Sequence, residues 1–360
     1  MRPTLLDRVA QATGAVPLGW AGASADAAYV NLGDALSPVM VALCTGLGIA
    51  RVPFNSTVPR LAAVGTIGHG FERGEVWFWG SGASLYRNPF APPAERLRYT
   101  TPADTRVHLA ATRGPISRAI LGGAGIPGVY GDPVWLLPRF YRPAVPRRYE
   151  LGVILHLADL ADRSFEAHPN PLHARYVVPA ELGGAIRLIN TVTPPDLPGL
   201  FGRIDDILAC RRIVSTSLHG LVFAESYGIP CLYFGVRGAP DGLGTAPAAL
   251  ETGIDPRVLD LYAGLGARTF PLYVQPRRRR TDWAALIHAI DRAWQPRRLD
   301  EDALLEALPV SAAPVTVAPG RPIWEHPVLR DLRLGHTAEE IGTAVRRYRQ
   351  PAGEPAPALP

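Results

Sequence analysis

Residues 211–235 restrict the possible folds of this chain more than any other stretch, because their pattern predicts a complete βαβ unit. Residues 212–216 are mainly apolar and β-branched, as a buried strand requires. Ser217 is a good helix N-cap, and apolar residues then recur at helical spacing until Gly228, which is placed to end the helix. Residues 231–234 predict a second strand. The strands of such a unit are parallel and its crossover is right-handed, so we expect a parallel α/β sheet.

The polar residues of this unit lie where α/β sheets bind ligands. Ser215, Thr216, Ser217 and His219 fall between the carboxyl end of the first strand and the amino end of the helix. At this edge, free backbone N–H groups and the helix dipole favour an anion. The sequence therefore predicts an anion site, with a capped helix and a partly buried histidine as the alternative interpretation.

The basic residues exclude several chemistries. All 37 of them are arginines, so the chain has no lysine for a Schiff base, a P-loop or a nucleophile. Any anion must be held by arginine, histidine, hydroxyl groups or backbone, and the planar arginine fork suits carboxylate and phosphate. The net charge of +5 is scattered, and the tight basic run at 277–280 lacks interleaved aromatic residues. We therefore expect an acidic small molecule or an anionic polymer as partner, and no nucleic acid.

The cysteines and the apolar runs bear on the location of the protein. Cys44, Cys210 and Cys231 are far apart, lack the spacing of a zinc site, and are expected to be reduced and buried. We find no signal peptide at the amino terminus and no apolar run near the roughly 20 residues that cross a bilayer. The sequence predicts a cytoplasmic protein with at most peripheral membrane contact.

Composition divides the chain, whose 360 residues are enough for two domains. Residues 138–148 hold three prolines and four arginines and mark the best boundary. We therefore predict a first α/β domain over 1–145 and a second over 146–300. A Pro/Ala-rich extension is expected over 301–360, with a short helix near 338–347.

Four local predictions complete the outline. Residues 180–188 are expected to form a helix, and residues 257–262 an edge element. An amphipathic helix is predicted over 281–294, with Thr281 as its cap. Residues 309–322 are expected to form a Pro/Ala-rich linker.

Turns in the first half carry further candidate residues. Asn31 and Asp34 follow a strand end; Asp34 is a fair helix cap, and alternatively both side chains face a cleft and bind hydroxyl groups. Gly82 belongs to a glycine turn after a strand, where a backbone can approach a ligand closely. Arg113 lies at a strand-to-helix turn, where it either forms a surface salt bridge or grips an anion. Asp132 is either a turn former or a catalytic acid.

Six motifs, taken in order, resemble those of the polysaccharide pyruvyl transferase family. They are Asn-Leu-Gly-Asp at 31–34, Gly-Ser-Gly at 80–82, Arg-Gly-Pro-Ile-Ser at 113–117, Gly-Asp-Pro at 131–133, Ser-Leu-His-Gly at 217–220 with Glu225 beyond it, and the segment 257–262. Each motif is weak alone, and six in order are specific. The resemblance implies two Rossmann-like domains facing across a cleft in a glycosyltransferase-B-like arrangement, with no metal or organic cofactor.

The resemblance also implies an activity and a site. The activity is transfer of the enolpyruvyl group of phosphoenolpyruvate to sugar hydroxyls, which forms a pyruvate ketal on a cell-surface or exopolysaccharide; whether the saccharide acceptor is lipid-linked stays open. His219 would be the general acid and would contact the donor. The implied donor-binding residues are Arg113, Ser217, Leu218, His219, Gly220 and Glu225, and the implied acceptor-binding residues are Asn31, Asp34, Gly82 and Asp132. Glu225 has an alternative role as the partner of an arginine.

Two features of the sequence bear on the implied mechanism: the environment of His219 and the residue at position 217. A helix amino terminus lowers the pKa of a histidine, and a bound trianion opposes that effect, so we expect His219 to be protonated mainly in the complex. Ser217 stands where some family members have an arginine, and Arg211, Arg212 or Arg237 would have to supply the charge. The alternative functions are a nucleotide-sugar-dependent glycosyltransferase of the same fold and a catalytically silent carbohydrate-binding protein.

Overall fold

The computed structural model describes residues 3–23, 28–250, 253–318 and 320–335. The first part of the chain forms seven strands in these ranges: β1 (Ala15–Leu18), β2 (Val30–Asn31), β3 (Gly48–Arg51), β4 (Arg60–Ala62), β5 (Gly74–Trp79), β6 (Thr105–Thr112) and β7 (Val129–Tyr130). All of them except β2 build the first sheet, in the order β3-β1-β4-β5-β6-β7, and every neighbouring pair is parallel.

The second sheet also has six strands. The later strands of the described chain are β8 (Leu151–Leu155), β9 (Ile186–Asn190), β10 (Val192–Thr193), β11 (Ile213–Ser215), β12 (Cys231–Gly235), β13 (Gly242–Pro247) and β14 (Thr269–Val274). The sheet order is β13-β14-β12-β11-β8-β9, and β13 runs antiparallel to its neighbour while the other pairs are parallel. The α/β prediction is confirmed at this level, and the parallel sheets are compatible with a Rossmann-like fold.

The helices surround these sheets. They are α1 (Leu5–Thr13), α2 (Leu32–Thr45), α3 (Pro115–Arg118), α4 (Leu197–Leu208), α5 (Leu218–Ser226), α6 (Pro256–Gly264), α7 (Trp283–Ala293) and α8 (Glu301–Glu306). One buried apolar cluster includes residues of α2 and α5 as well as both sheets. No described helix is both long and apolar enough to span a bilayer.

The predicted βαβ unit is confirmed. Strand β11 pairs in parallel with β12, and α5 connects them. Gly228 has a φ of 66°, the left-handed conformation that ends helices and that glycine adopts without strain. The unit places the Ser217–His219 turn at the carboxyl edge of the sheet.

The two sheets are joined by short contacts. A two-stranded antiparallel ribbon pairs β2 with β10, so the first part of the chain is hydrogen-bonded directly to the second. Helix α3 packs against α6 at close range, because Gly114 and Gly264 lie at the contact. A Cβ on Gly114 would overlap Asp260, and a Cβ on Gly264 would overlap the Arg113 carbonyl.

Two predicted helix caps are wrong by a few residues. Helix α2 begins at Leu32, and the side chain of Asn31 accepts from the Gly33 N–H at 3.2 Å, so Asn31 is the cap and Asp34 lies within the first turn. Helix α7 is capped by Asp282, and the Thr281 hydroxyl donates instead to the Arg175 carbonyl at 2.7 Å. Both stretches hold adjacent cap-forming residues, and local pattern does not choose between them.

Other local predictions also need correction. The helix predicted over 180–188 is a single 3₁₀ turn, Ala180–Leu182, because two glycines follow it and β9 begins at Ile186. The edge element predicted over 257–262 is part of helix α6. The short helix predicted near 338–347 lies outside the described residues.

Residues 301–318 pack against the first part of the chain, although the stretch from residue 309 onward has the composition of a linker. The Trp79 indole N–H donates to the Leu304 carbonyl at 2.7 Å. Backbone N–H groups of Ala313 and Val315 donate to the carbonyls at the end of α2. Val310 is 1% exposed, so this segment belongs to the apolar core.

Candidate active site

A cavity of about 990 Å³ lies between the two sheets and is lined from both. Several of the residues that line it directly follow strands: Arg113 follows β6, His156 follows β8, Thr216 follows β11 and Val236 follows β12. The cavity therefore opens at the carboxyl edges of parallel strands, where α/β folds place their ligands. Its size suits a small anion together with part of a larger substrate.

The cavity wall is rich in cations. Among the described residues that line it are seven arginines, four aspartates and three histidines. The arginines are Arg96, Arg113, Arg163, Arg175, Arg237, Arg257 and Arg277. The excess of arginine over carboxylate favours a ligand with negative charge.

Helix α5 presents an uncapped amino end to this cavity. Ser217 occupies the N-cap position, yet its side chain accepts no bond from the helix. In each other described α-helix of six or more residues a side chain caps this end, namely that of Thr4, Asn31, Asp196, Asp255, Asp282 or Asp300. The first-turn N–H groups of α5 therefore remain for a ligand, with the positive end of the dipole behind them.

His219 lies in that first turn and lines the cavity, although its residue is only 7% exposed. Burial, followed by the nearby charges of Arg113 and Arg257, lowers the pKa of His219 to about 3. The imidazole is therefore neutral at physiological pH in the unliganded protein. The expectation from sequence that His219 is protonated mainly in the complex with a bound anion stays a prediction.

Gly33 fixes the position of the His219 ring. A Cβ on Gly33 would overlap the imidazole at Nδ1, Cγ and Cε1, so only glycine allows this approach. The Asn-Leu-Gly-Asp motif thus serves the site through its backbone as well as through its polar side chains.

A Gly33→Ala substitution should lower activity by about 10²-fold, the cost expected when a catalytic group moves by about 1 Å. The matched control is Gly202→Ala, since Gly202 lies in helix α4 with no atom near an added Cβ. That control should keep its activity and gain up to about 1 kcal/mol of stability from helix propensity. Steady-state kinetics and urea unfolding of both variants would check this, and equal activities would contradict the assigned role of Gly33.

Arg113 lines the cavity, but its guanidinium is already engaged. Nη2 lies 3.2 Å from Asp260 Oδ2, Nη1 donates to Thr66 Oγ1 at 2.9 Å, and both charged side chains are 1% exposed. The residue therefore forms a buried salt bridge across the α3–α6 contact, in place of the surface salt bridge considered from sequence. Its charge still acts on the cavity through the pKa of His219.

Arg257 is a cavity residue that the sequence did not single out as a ligand contact. Its guanidinium bonds Asp255 through Nε at 3.0 Å and Nη2 at 2.6 Å, and Nη2 also donates to His156 Nε2 at 3.1 Å. Two features of the sequence could have indicated Arg257. The Asp-Pro pair directly before it is typical of a helix start, and its partner His156 directly follows a strand. Of the arginines proposed to replace the missing one, Arg237 lines the cavity; Arg211 and Arg212 instead pair with Glu150.

Six of the predicted site residues line the cavity: Asn31, Asp34, Arg113, Ser217, Leu218 and His219. Asn31 also donates from Nδ2 to Thr191 Oγ1 at 3.2 Å, which joins the two sheets. Burial raises the pKa of Asp34 to about 6, against the lowering effect of Arg257. Asp34 lines the cavity, as the functional alternative expects, and its contact with hydroxyl groups stays a prediction.

Gly82 and Gly220 lie behind the cavity wall. A Cβ on Gly82 would overlap the guanidinium of Arg113, and a Cβ on Gly220 would overlap the hydroxyl of Ser215. Both glycines therefore provide room for neighbouring side chains, and neither is among the residues that line the cavity.

Glu225 is also absent from the residues that line the cavity. Its carboxylate accepts from the Tyr262 hydroxyl at 3.1 Å and the Trp294 indole at 3.2 Å, and it lies 3.9 Å from Arg297. Burial raises the pKa of Glu225. The contacts match the alternative role, the partner of an arginine, and offer no path to a donor.

Asp132 is buried behind His219 rather than in the cavity wall. Its residue is 1% exposed, and Oδ1 accepts from the Val134 N–H at 3.1 Å, which starts the 3₁₀ helix Pro133–Arg139. The turn-forming interpretation is therefore correct, and this position does not suit contact with an acceptor sugar. Its second oxygen lies 3.7 Å from His219 Nε2.

The described residues contain no group of three or more His, Cys, Asp or Glu side chains arranged to hold a metal ion. The cavity is thus characterised by arginines, a helix amino end and a neutral histidine. These features define an α/β protein with an arginine-rich cavity at the carboxyl edges of parallel strands from both sheets.

Comparison with known proteins supports the resemblance seen in the sequence motifs. Residues 71–237, just under half of the chain, match the family model described as polysaccharide pyruvyl transferase.

Among curated proteins, an uncharacterised protein of Acanthamoeba polyphaga mimivirus is 32% identical over 98 residues, which cover 26% of this chain and 29% of that protein. The chain thus spans under a third of the length of this relative. No solved structure matches the chain significantly.

Proposed function

We propose that this protein transfers the enolpyruvyl group of phosphoenolpyruvate to two hydroxyls of a saccharide, so that a pyruvate ketal forms on a cell-surface or exported polysaccharide. The observation that carries the proposal is the uncapped amino end of α5, which opens beside His219 onto an arginine-lined cavity. Phosphoenolpyruvate is a compact trianion, and it requires this combination of N–H groups and arginine forks.

The donor would lie against the first turn of α5. Arg257 and Arg237 line the cavity and are partly or largely exposed, so we assign them the direct contact with its charges. Arg113, already bonded to Asp260, would contribute charge and hold the α3–α6 contact in place. This assignment supplies the positive charge that the family's arginine provides at the position of Ser217.

His219 would act as the general acid. The bound trianion raises the pKa of the imidazole, against burial and the two arginines, so the ring is protonated in the complex. The imidazolium gives its proton to the methylene carbon of the donor, a sugar hydroxyl bonds to the neighbouring carbon, phosphate leaves and the second hydroxyl closes the ketal. Asn31 and Asp34, on the first-sheet side of the cavity, would hold the acceptor hydroxyls.

The wider arrangement is part of the same proposal. Residues 1–145 would form the acceptor-side domain and 146–300 the donor-side domain, facing each other as in glycosyltransferase-B-like enzymes. We place the protein in the cytoplasm, where phosphoenolpyruvate is available. The family match does not favour the alternative, a nucleotide-sugar-dependent glycosyltransferase.

Thermal denaturation with phosphoenolpyruvate tests the donor. At a hundred times its dissociation constant the donor should add about 2.7 kcal/mol of stability, and a panel of nucleotide sugars should add none. Stabilisation by a nucleotide sugar alone would overturn the proposal. Phosphate release with candidate saccharides then tests the transfer.

A Ser217→Asp variant sharpens this test. The new carboxylate would cap α5 and occupy its free N–H groups, so the unliganded protein should gain up to about 1 kcal/mol while the donor-induced shift disappears. Ser226→Asp adds the same charge at the other end of the same helix and should keep the shift. A full shift in Ser217→Asp would contradict the assigned donor position.

A further inference from the structure

Two buried polar atoms face each other behind the cavity. His219 Nε2 and Asp132 Oδ2 are 3.7 Å apart, beyond hydrogen-bond distance, and neither has a hydrogen-bond partner in the described structure. The residues are 7% and 1% exposed. Unpartnered polar atoms in such positions are rare, because a buried polar group without a hydrogen bond loses its hydration and gains nothing in return.

Both side chains are held so that a small movement would join them. Asp132 is anchored through Oδ1 to the Val134 N–H, and α5 packs against the 3₁₀ helix Pro133–Arg139 that this bond begins. The His219 ring lies against Gly33. Nε2 is sealed from solvent, so Nδ1 is the ring nitrogen that remains for a ligand.

We propose that Asp132 is the positioning residue of His219. Its carboxylate accepts a hydrogen bond from the Nε2–H group, which leaves the lone pair of the neutral ring on Nδ1. When the ring is protonated, the two side chains move together and form an ion pair. The inference rests on the proposed function, in which His219 is the general acid. It replaces the acceptor-binding role that the family resemblance implies for Asp132.

The pair accounts for the movement of protons in the transfer. The imidazolium gives its Nδ1 proton to the methylene carbon, and the neutral ring takes one from the attacking hydroxyl. The two hydroxyl protons end on the new methyl group and on the released phosphate, so the ring returns to its starting state. Throughout, the Nε2 proton stays on the nitrogen that faces Asp132, as in other carboxylate-oriented catalytic histidines.

Four charged side chains, those of Arg113, Arg257, Asp132 and Asp34, lie around His219. Arg113 and Arg257 lower the pKa of His219, and burial raises the pKa of both Asp132 and Asp34 to about 6. Since the proposed role needs an ionised Asp132, the rate should fall as the pH drops through this range. Both aspartates titrate there, so the assignment needs a variant of each.

Asp132→Asn is the decisive variant. The amide oxygen can still accept from the Val134 N–H, which turns the amide N–H₂ toward His219 Nε2. Nε2 must then be the acceptor, and the ring proton moves to Nδ1. We expect kcat to fall by about 10²-fold or more with KM for phosphoenolpyruvate changed by less than about threefold. The decline in rate at low pH should be lost in Asp132→Asn and kept in Asp34→Asn.

Nitrogen-15 NMR of the His219 ring determines its tautomer in the absence of substrate. The signals of His219 are assigned by their loss in a His219→Gln sample. Wild type should carry the proton on Nε2, and Asp132→Asn on Nδ1. Asp196→Asn, which alters another aspartate cap, should change neither ring nor rate. An unchanged tautomer in Asp132→Asn, or a wild-type kcat, would overturn the inference. Absent pyruvyl transfer in wild type, with the tautomer change present, would instead count against the proposed function.

Discussion

Replacing His219 with glutamine should lower the turnover of pyruvyl transfer by about 10²- to 10⁴-fold, the range that a positioned general acid contributes. Glutamine retains a polar group of similar reach but cannot carry the proton. The arginines and the α5 amino end would remain, so stabilisation by phosphoenolpyruvate should persist in the variant. Single-turnover kinetics together with thermal denaturation would separate these two effects.

A histidine elsewhere provides the control for this experiment. The His168 side chain is 56% exposed and bonds Asp162 on the surface, so His168→Gln should leave turnover and stability close to wild type. A His219→Gln variant with turnover similar to that control would exclude His219 as the acid. The proton would then have to come from another cavity residue, of which His156 and His69 are the remaining histidines.

Asp260→Ala should destabilise the protein by about 3–5 kcal/mol, because it leaves the buried Arg113 guanidinium without its charged partner. The carboxylate also accepts from the Ser117 N–H at 3.0 Å, so the start of α3 loses a bond as well. A typical domain has only about 5–15 kcal/mol of stability, so the change should be plain in urea unfolding.

An exposed pair provides the matched comparison. Asp241 and Arg279 are both about half exposed or more, and Asp241→Ala should cost at most about 1 kcal/mol. If the two variants lose similar stability, the α3–α6 salt bridge is not a structural anchor, and Arg113 is freer to bind the donor than its contacts suggest. The comparison therefore bears on donor binding as well as on stability.

The central unit was predictable because its signals are local. The strands, helix and terminating glycine between residues 212 and 235 all lie within one short window, and each is read from neighbouring residues. The Ser217 cap predicted from the same window is wrong, because the side chain of Ser217 makes no capping bond. Helix α1 and strand β1 were not predicted, since both are short and their apolar residues are buried against remote parts of the chain. Local pattern also could not choose between Asn31 and Asp34 as the cap of α2.

The site was predictable only in its outline. Placement at strand ends indicated Arg113 and His219, and both line the cavity. The partners of these residues are remote in the chain: Asp260 is far from Arg113, and Asp132 is far from His219. Tertiary contacts of this kind produce no periodic pattern in the sequence. The sequence could therefore indicate the charged residues, but not which carboxylate each of them contacts.

The packing of residues 301–318 against α1 and α2 has a consequence for how the chain folds during synthesis. The Thr4 hydroxyl donates to the carbonyl of Pro309, 305 residues away, and the Ser311 N–H donates to Asp7. Helix α1 and the end of α2 therefore leave the ribosome long before their last partners exist. The amino-terminal part of a protein usually folds first during synthesis, but here the contacts of α1 and of the end of α2 stay incomplete until residues 309–315 have been made. Long-range closure of this kind slows folding and makes the nascent chain depend on protection from aggregation.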